Sequence, residues 1–153
     1  MAARAGVQRA ALRHFVGNRE DLISAAIAKI TRRALADIDA NLTVAEVIAM
    51  LFDPSRMKSA DVYDRAWTEL LPEAMRSRDA HAVVKESYDH LISLISNALR
   101  QRYPQASRSQ IADTAYAIAC MAEQNYTFQR LGYPQARVKG LKESAFALAD
   151  RLD

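Results

Sequence analysis

Residues that break helices are scarce in this chain, and that scarcity most constrains its fold. Only four glycines and four prolines interrupt 153 residues, half of which are apolar. Long stretches without such residues favour helices over turn-rich β-structure. Apolar residues also recur three and four positions apart along most of the chain, as they do on one face of a helix. The sequence therefore predicts an all-α fold.

The pattern and its flanking residues predict where the helices begin and end. Asn18 suits the N-cap of a long helix that starts at Arg19, and Thr43 followed by Glu46 has the spacing of a capping box. Gly132 is expected to end a later helix. The predicted helices cover about 8–15, 19–41, 44–52, 60–77, 79–102, 108–131 and 135–152.

The sequence argues against several classes of function. No apolar run reaches the ~18 residues of a membrane span, so we expect no membrane partner. The single cysteine, Cys120, cannot form an intramolecular disulfide; we expect it to be a buried small side chain in a protein of the reducing cytoplasm. The histidines lie at unsuitable spacing for a metal site, and no phosphate loop, carboxylate pair or nucleophile elbow occurs. We therefore expect neither an enzyme, a metal nor a cofactor.

The positive charge is concentrated at the N-terminus. Residues 1–19 contain four arginines and no acidic residue. The rest of the chain has the other 17 of the 21 basic residues and all 18 acidic residues. Such asymmetry indicates a polyanionic partner or a targeting peptide. A transit peptide is the weaker hypothesis, because Ala5-Gly6-Val7 interrupts a single amphipathic helix and no serine precedes Ser24.

The first residues have the pattern of the second half of a helix-turn-helix. Gly6 permits a tight turn, and a short basic helix follows it. Val7 and Leu12 are expected to face inward, which leaves glutamine and arginine side chains to reach base edges or phosphates. At the start of the next helix, Arg19 and the helix N-terminus suit a phosphate. The predicted DNA contacts are Gln8, Arg9, Arg13, His14 and Arg19.

Over residues 2–30 the chain resembles the TetR family of transcriptional regulators. The matching positions are Ala5-Gly6-Val7, Leu12, His14-Phe15 and Arg19-Glu20-Asp21-Leu22. His14-Phe15 is most similar to the subgroup that contains the choline-responsive repressor. The resemblance implies a DNA-binding head, a helical body that binds an effector, and dimerisation through the last two long helices.

The chain also departs from the family pattern. Gln8, Ala10 and Ala11 stand where the family has Ser, Thr or Gly, and Arg13 stands where it often has Tyr, so the operator sequence is open. Family members also carry one whole helix and most of a second before this segment. We therefore expect a truncated head: either the natural product begins upstream, or the chain is a paralogue that dimerises but holds DNA poorly.

The predicted organisation is a partial helix-turn-helix head with its connecting helix over 1–40, followed by a helical ligand-binding and dimerisation domain over 41–153. Aromatic and methionine residues recur on successive helices of this body. Each one alone is expected in an ordinary core, but a subset could line an effector pocket, where polar handles on the aromatic rings would orient a ligand. The predicted pocket residues are Tyr63, Trp67, Tyr88, Tyr116, Met50 and Met121.

Two regular stripes near the C-terminus suggest close helix packing. Alanines line one side of the helix over 108–131, and an a/d pattern follows over 138–152. Both stripes could pack within one chain or build a two-fold, four-helix interface. We predict the homodimer, because an operator with two half-sites requires two heads about 34 Å apart. The predicted interface is Ala112, Ala115, Ala119, Ala122, Val138, Leu141, Ala145, Leu148 and Leu152.

Together these features predict a cytoplasmic transcriptional repressor whose affinity for double-stranded operator DNA is controlled by a small-molecule effector. The alternative is a truncated helical homodimer that binds a small ligand or partner but not DNA.

Overall fold

The protein is helical in every segment that its computed structural model describes, which comprises residues 18–35, 41–53, 69–72 and 74–153. Residues 69–72 form a helical segment. The longer elements are α1 (Arg19–Leu35), α2 (Val44–Leu51), α3 (Arg78–Arg102), α4 (Arg108–Arg130) and α5 (Gln135–Ala149), followed by a 3-10 turn (Asp150–Leu152). The all-α prediction is confirmed. The predicted helix-turn-helix lies outside the described residues.

Contacts divide the chain into two compact units. The first combines Met1–Asp37 with Val62–Ser87, and the second combines Ile38–Asp61 with Tyr88–Asp153. Residues of α3 up to Ser87 thus belong to the first unit and the rest of that helix to the second. The predicted boundary near residue 40 stays a prediction. No helix of the described segments is long and apolar enough to cross a membrane.

The start of α1 is fixed by Asn18. Its Oδ1 accepts hydrogen bonds from the backbone N–H groups of Glu20 and Asp21, at 2.7 and 3.0 Å. In return, the backbone N–H of Asn18 donates to Asp21 Oδ2 at 2.7 Å. Because the first N–H groups of a helix have no partner within it, this reciprocal cap stabilises the start, as the sequence predicts.

Two further helices begin with capping boxes. Thr43 Oγ1 accepts from the backbone N–H of Glu46, whose carboxylate accepts from the backbone N–H of Thr43. This box is the predicted one. Ser107 and Gln110 form a second box of the same kind at the start of α4. Each box satisfies backbone donors that would otherwise lack partners, and so sets the first residue of its helix.

The end of α4 is a Schellman motif centred on Gly132. The backbone N–H of Tyr133 donates to the carbonyl of Phe128 at 3.1 Å, and that of Gly132 donates to the carbonyl of Gln129 at 3.0 Å. Gly132 has φ of +87°, in the left-handed region that favours glycine. The rings of Phe128 and Tyr133 lie 5.2 Å apart, which supplies the apolar contact usual for this motif. The predicted stop is confirmed.

The core of the second unit joins α2, α3, α4 and α5. Fully buried side chains come from each long element, among them Ile48 of α2, Leu99 of α3, Ile118 of α4 and Ala145 of α5. Burying one such aliphatic side chain contributes about 1.5–3 kcal/mol. The first unit has its own buried set: Ile23, Ile27, Ala74, Ala80 and Val84.

A buried tyrosine links α3 to the C-terminal turn. Tyr103, directly after α3, is 4% exposed, and its hydroxyl donates to Asp150 Oδ1 at 2.9 Å. Burial of the ring, and then the hydrogen bond to Asp150, raise the pKa of the Tyr103 hydroxyl. The guanidinium of Arg102 lies 5.2 Å from the ring centre. This contact joins two residues that are far apart in sequence, and it ties the last residues of the chain to the rest of the second unit.

The stripes predicted as a dimer interface lie mostly inside this core. Three of the alanines of α4 and three residues of the last segment are buried within the single chain: Ala115, Ala119, Ala122, Val138, Ala145 and Leu152. Leu141 and Leu148 are half-buried and pack against the same cluster. Ala112 alone of the predicted set is exposed. The stripes therefore already have partners within the chain, which was the other option that their spacing left open.

Candidate nucleic-acid interface and effector site

Arg19 is the described member of the predicted DNA-contact set. It is exposed in the first turn of α1. Glu20 and Asp21 share that turn, and Asn18 already occupies two of its backbone donors. The two carboxylates interact favourably with the helix dipole, but they repel a phosphate. Any attraction of a phosphate to this site therefore comes from the Arg19 guanidinium rather than from the helix N-terminus. The other predicted contacts, Gln8, Arg9, Arg13 and His14, lie outside the described residues.

The predicted pocket residues of the second unit differ in their exposure to solvent. Tyr88 is half-buried, and its hydroxyl donates to Glu123 Oε2 at 3.2 Å, which joins α3 to α4. Met50 and Met121 are half-buried and pack against the core of the second unit. Tyr116, by contrast, is 62% exposed on α4. Tyr63 and Trp67 fall outside the part of the chain that the structure describes, so a pocket containing them stays a prediction.

Asn125 is a buried polar residue that the sequence reasoning missed. It continues the core stripe of Ile111, Ala115, Ile118 and Ala122, with the same three- and four-residue spacing, and it is 6% exposed. A buried amide normally binds a protein group, a water molecule or a ligand. The signal was visible in the sequence, because an amide interrupts an otherwise apolar or small-residue stripe.

The second unit also carries a basic segment that contains no acidic residue. From Gln124 to Lys142 the chain has four basic residues, Arg130, Arg137, Lys139 and Lys142. Lys139 Nζ lies 3.9 Å from Glu143 Oε1, but both side chains are largely exposed, and such surface pairs contribute little. Arg137 is exposed near the start of α5. The N-terminal arginines are therefore not the only concentration of positive charge.

Exposed apolar side chains cluster on α4 and the turn after it. Tyr116, Phe128, Leu131 and Tyr133 are 62%, 45%, 69% and 57% exposed. Cys120, on the same helix, is exposed as well, so the expectation that it is buried was wrong. The reason is its position in the helical repeat, on the side of α4 opposite the buried stripe. Only the three-dimensional packing of α4 decided which of its sides faced the core.

Neither the described chemistry nor the comparisons identify a family. No cluster of His, Cys, Asp or Glu side chains among the described residues could hold a metal ion. Comparison with protein-family models, curated proteins and solved structures finds no match for this chain. Membership of the TetR family therefore stays a prediction from the residues between 2 and 30.

Proposed function

We propose that this chain is a DNA-binding transcriptional regulator of the TetR type, a repressor whose affinity for its operator falls when a small molecule binds the helical body. One observation carries the proposal. An arginine-bearing segment without acidic residues, in which Ala5-Gly6-Val7 is the predicted turn, directly precedes the capped start of α1. Basic helices that follow such a turn suit the major groove, and positive charge without acidic neighbours suits the phosphate backbone.

The helical body supports the regulatory part of the proposal. Its second unit has a substantial apolar core, and next to this core the polar side chain of Asn125 is buried. An effector offering both a hydrogen-bond donor and an acceptor would satisfy this amide. In the proposed mechanism the effector binds one conformation of the dimer more tightly than the other, and so changes the fraction that fits two half-sites.

The test is selection from randomised double-stranded DNA, followed by fluorescence anisotropy with the enriched duplex. We expect a site with two half-sites about one helical turn apart, and an affinity that falls steeply with salt. Arg9→Ala should weaken binding and lower the salt slope by about one unit if Arg9 neutralises a phosphate. Arg151→Ala, which removes an exposed arginine at the other end of the chain, is the matched control and should leave both values unchanged.

The alternative function predicts a different result in the same experiment. A helical dimer that binds a ligand but not DNA would enrich no sequence, although it would be folded by circular dichroism. That outcome would reject the regulator. Equal loss of affinity in the Arg9 and Arg151 variants would instead reject a specific role for the predicted recognition segment.

A further inference from the structure

The turn between α4 and α5 carries apolar side chains that face water. Phe128, Leu131 and Tyr133 are 45%, 69% and 57% exposed, and Pro134, which follows them, is exposed as well. We call these four residues the apolar tip. Single exposed apolar side chains are ordinary, but a group of them at one place on a surface indicates a binding site. The apolar tip is therefore a candidate for contact with another surface.

The apolar tip is a projection rather than a groove. Residues 131–137 are all exposed, and a Cβ added at Gly132 would meet no atom within 4 Å. The Schellman hydrogen bonds and the contact between the rings of Phe128 and Tyr133 hold the tip in one shape, so it loses little conformational entropy when it binds. A projection of this kind does not enclose a peptide or a small ligand, but it can enter a soft surface.

Basic residues lie directly behind the apolar tip. Arg137 and Lys139 are exposed in the first turns of α5, within about 6 Å of its first residue by helical rise. From Glu123 to Glu143 the chain has four basic residues and only these two acidic ones. Glu123 accepts a hydrogen bond from the Tyr88 hydroxyl, and Glu143 lies 3.9 Å from Lys139. The sequence around the tip therefore carries a net positive charge.

We infer that the apolar tip and the basic residues behind it form a contact site for an anionic lipid surface. Peripheral proteins bury apolar side chains about 5–10 Å into the boundary between headgroups and acyl chains, while Lys and Arg attract anionic headgroups. The distance of Arg137 and Lys139 behind the tip matches this depth. The ring of Tyr133 also suits the boundary, because its hydroxyl can stay in the polar layer.

Other occupants fit these residues less well. A nucleic acid would attract the same cations and stack on the aromatic rings, but it gives no reason for an exposed Leu131 beside Pro134. A second copy of the chain would need a face complementary to itself, whereas the charge around the tip is of one predominant sign. An anionic lipid surface accounts for the apolar and the basic residues together.

This contact requires no helix that crosses a membrane. The expectation of no membrane partner rests on the lack of a spanning segment alone, and the described helices contain none. Attachment to a lipid surface uses a few apolar and basic side chains instead. The inference goes beyond the proposed function and is independent of it, because the tip and the basic residues behind it belong neither to the predicted DNA contacts nor to the predicted dimer interface.

The first experiment is co-sedimentation of the full chain with vesicles, either of phosphatidylcholine alone or of equal parts phosphatidylcholine and phosphatidylglycerol. We expect binding to the anionic vesicles that weakens as salt rises. Leu131→Ser should lower the partition coefficient about tenfold, because the exposed leucine no longer enters the lipid. Met75→Ser is the matched control: Met75 is 58% exposed but belongs to the first unit, and its loss should leave binding unchanged.

A second set of variants tests the charges. Arg137→Gln should weaken binding to the anionic vesicles about fivefold. Arg108→Gln removes an exposed arginine from the other end of α4 and should have little effect. Arg9→Ala tests the arginine-bearing N-terminal segment in the same assay. Circular dichroism should show every variant folded. A chain that binds no vesicles, or that loses binding with Arg9→Ala but not with Leu131→Ser, would overturn the inference.

Insertion of the tip is measured with an environment-sensitive fluorophore. In a Cys120→Ser background, the label is attached either at Ala136→Cys, next to the tip, or at Ala112→Cys, near the other end of α4. Both alanines are exposed. Anionic vesicles should shift the emission to shorter wavelength at position 136 and not at position 112. Equal shifts at the two positions, or no shift at either, would contradict insertion of the tip.

Measurements without lipid separate this inference from the others. If light scattering shows a dimer that Leu131→Ser dissociates, the tip is a contact between copies of the chain, and the lipid inference fails. Vesicle binding by a chain that selects no DNA sequence would reject the regulator and keep the lipid contact. Selection of a DNA sequence without vesicle binding would keep the regulator and reject the lipid contact.

Discussion

Gly132 and Gly140 show how the same residue type has opposite energetic effects at two positions. Gly132 has a left-handed backbone, whereas Gly140 lies within α5, and a Cβ at either position meets no atom within 4 Å. Gly132→Ala should therefore lower the free energy of unfolding by about 1–2 kcal/mol through backbone strain alone. Gly140→Ala should raise it by up to about 1 kcal/mol, because alanine is the better helix former.

Urea denaturation of both glycine variants checks this pair of effects. Similar shifts of the same sign would contradict the assigned backbone conformation at Gly132. The sequence alone predicted that Gly132 ends a helix, because Pro134 follows it closely. The sequence did not show which of the two glycines would tolerate alanine, since that depends on φ.

The contact between Tyr103 and Asp150 should make stability depend on alkaline pH. The folded state raises the pKa of Tyr103, so it holds this proton more tightly than the unfolded chain does. The stabilisation is complete below the unfolded value of about 10 and is lost as the pH rises through the folded value. Tyr103→Phe should cost about 1 kcal/mol at neutral pH and remove this part of the alkaline decline.

Urea denaturation of the wild type and of Tyr103→Phe, at neutral pH and above pH 10, checks the effect. If the two proteins lose stability in parallel above pH 10, Tyr103 is not the group responsible. The sequence did not predict this contact, because the partners are 47 residues apart and neither one belongs to a recognisable motif.

At the scale of single helices, local sequence signals correctly predicted several helix ends. The starts at Asn18 and Thr43 and the stop at Gly132 were predicted because caps use backbone groups and side chains only a few residues apart. The two sides of α4 were harder to assign. Its alanines and its exposed positions both repeat at helical spacing, and only packing against α5 and the other core helices decided that most of the alanines are buried.

The capping box of α2 offers a test of an element. Thr43→Ala removes the side chain that accepts from the backbone N–H of Glu46, and it should lower the free energy of unfolding by about 1 kcal/mol. Thr127→Ala is a suitable control, because Thr127 is exposed in the interior of α4 and caps nothing, so its effect should stay within about 0.5 kcal/mol. Thermal or urea unfolding measures both changes. Equal effects would mean that α2 does not depend on its cap.

For the whole molecule, we expect dimerisation and DNA binding to be coupled. A protein that contacts two half-sites together gains affinity because the second contact becomes intramolecular. Ala112→Glu, which places a charge at the exposed residue of the predicted dimer interface and alters no predicted DNA contact, should therefore weaken binding to a duplex with two half-sites far more than binding to a single half-site. Fluorescence anisotropy with both duplexes measures the difference. An equal effect on the two duplexes would contradict the coupling.

The amino-acid sequence by itself determined the helical class, the ends of several helices and the N-terminal excess of arginine, because helix breakers, caps and charge act through neighbours along the chain. Tertiary structure alone decided that Cys120 and Tyr116 face water and that Tyr103 binds Asp150. It also decided that most of the alanine stripe and most of the a/d pattern over 138–152 lie in the core of their own chain. Such outcomes depend on which helix packs against which. Helical periodicity shows that two residues share a side of a helix, but it does not show what that side meets.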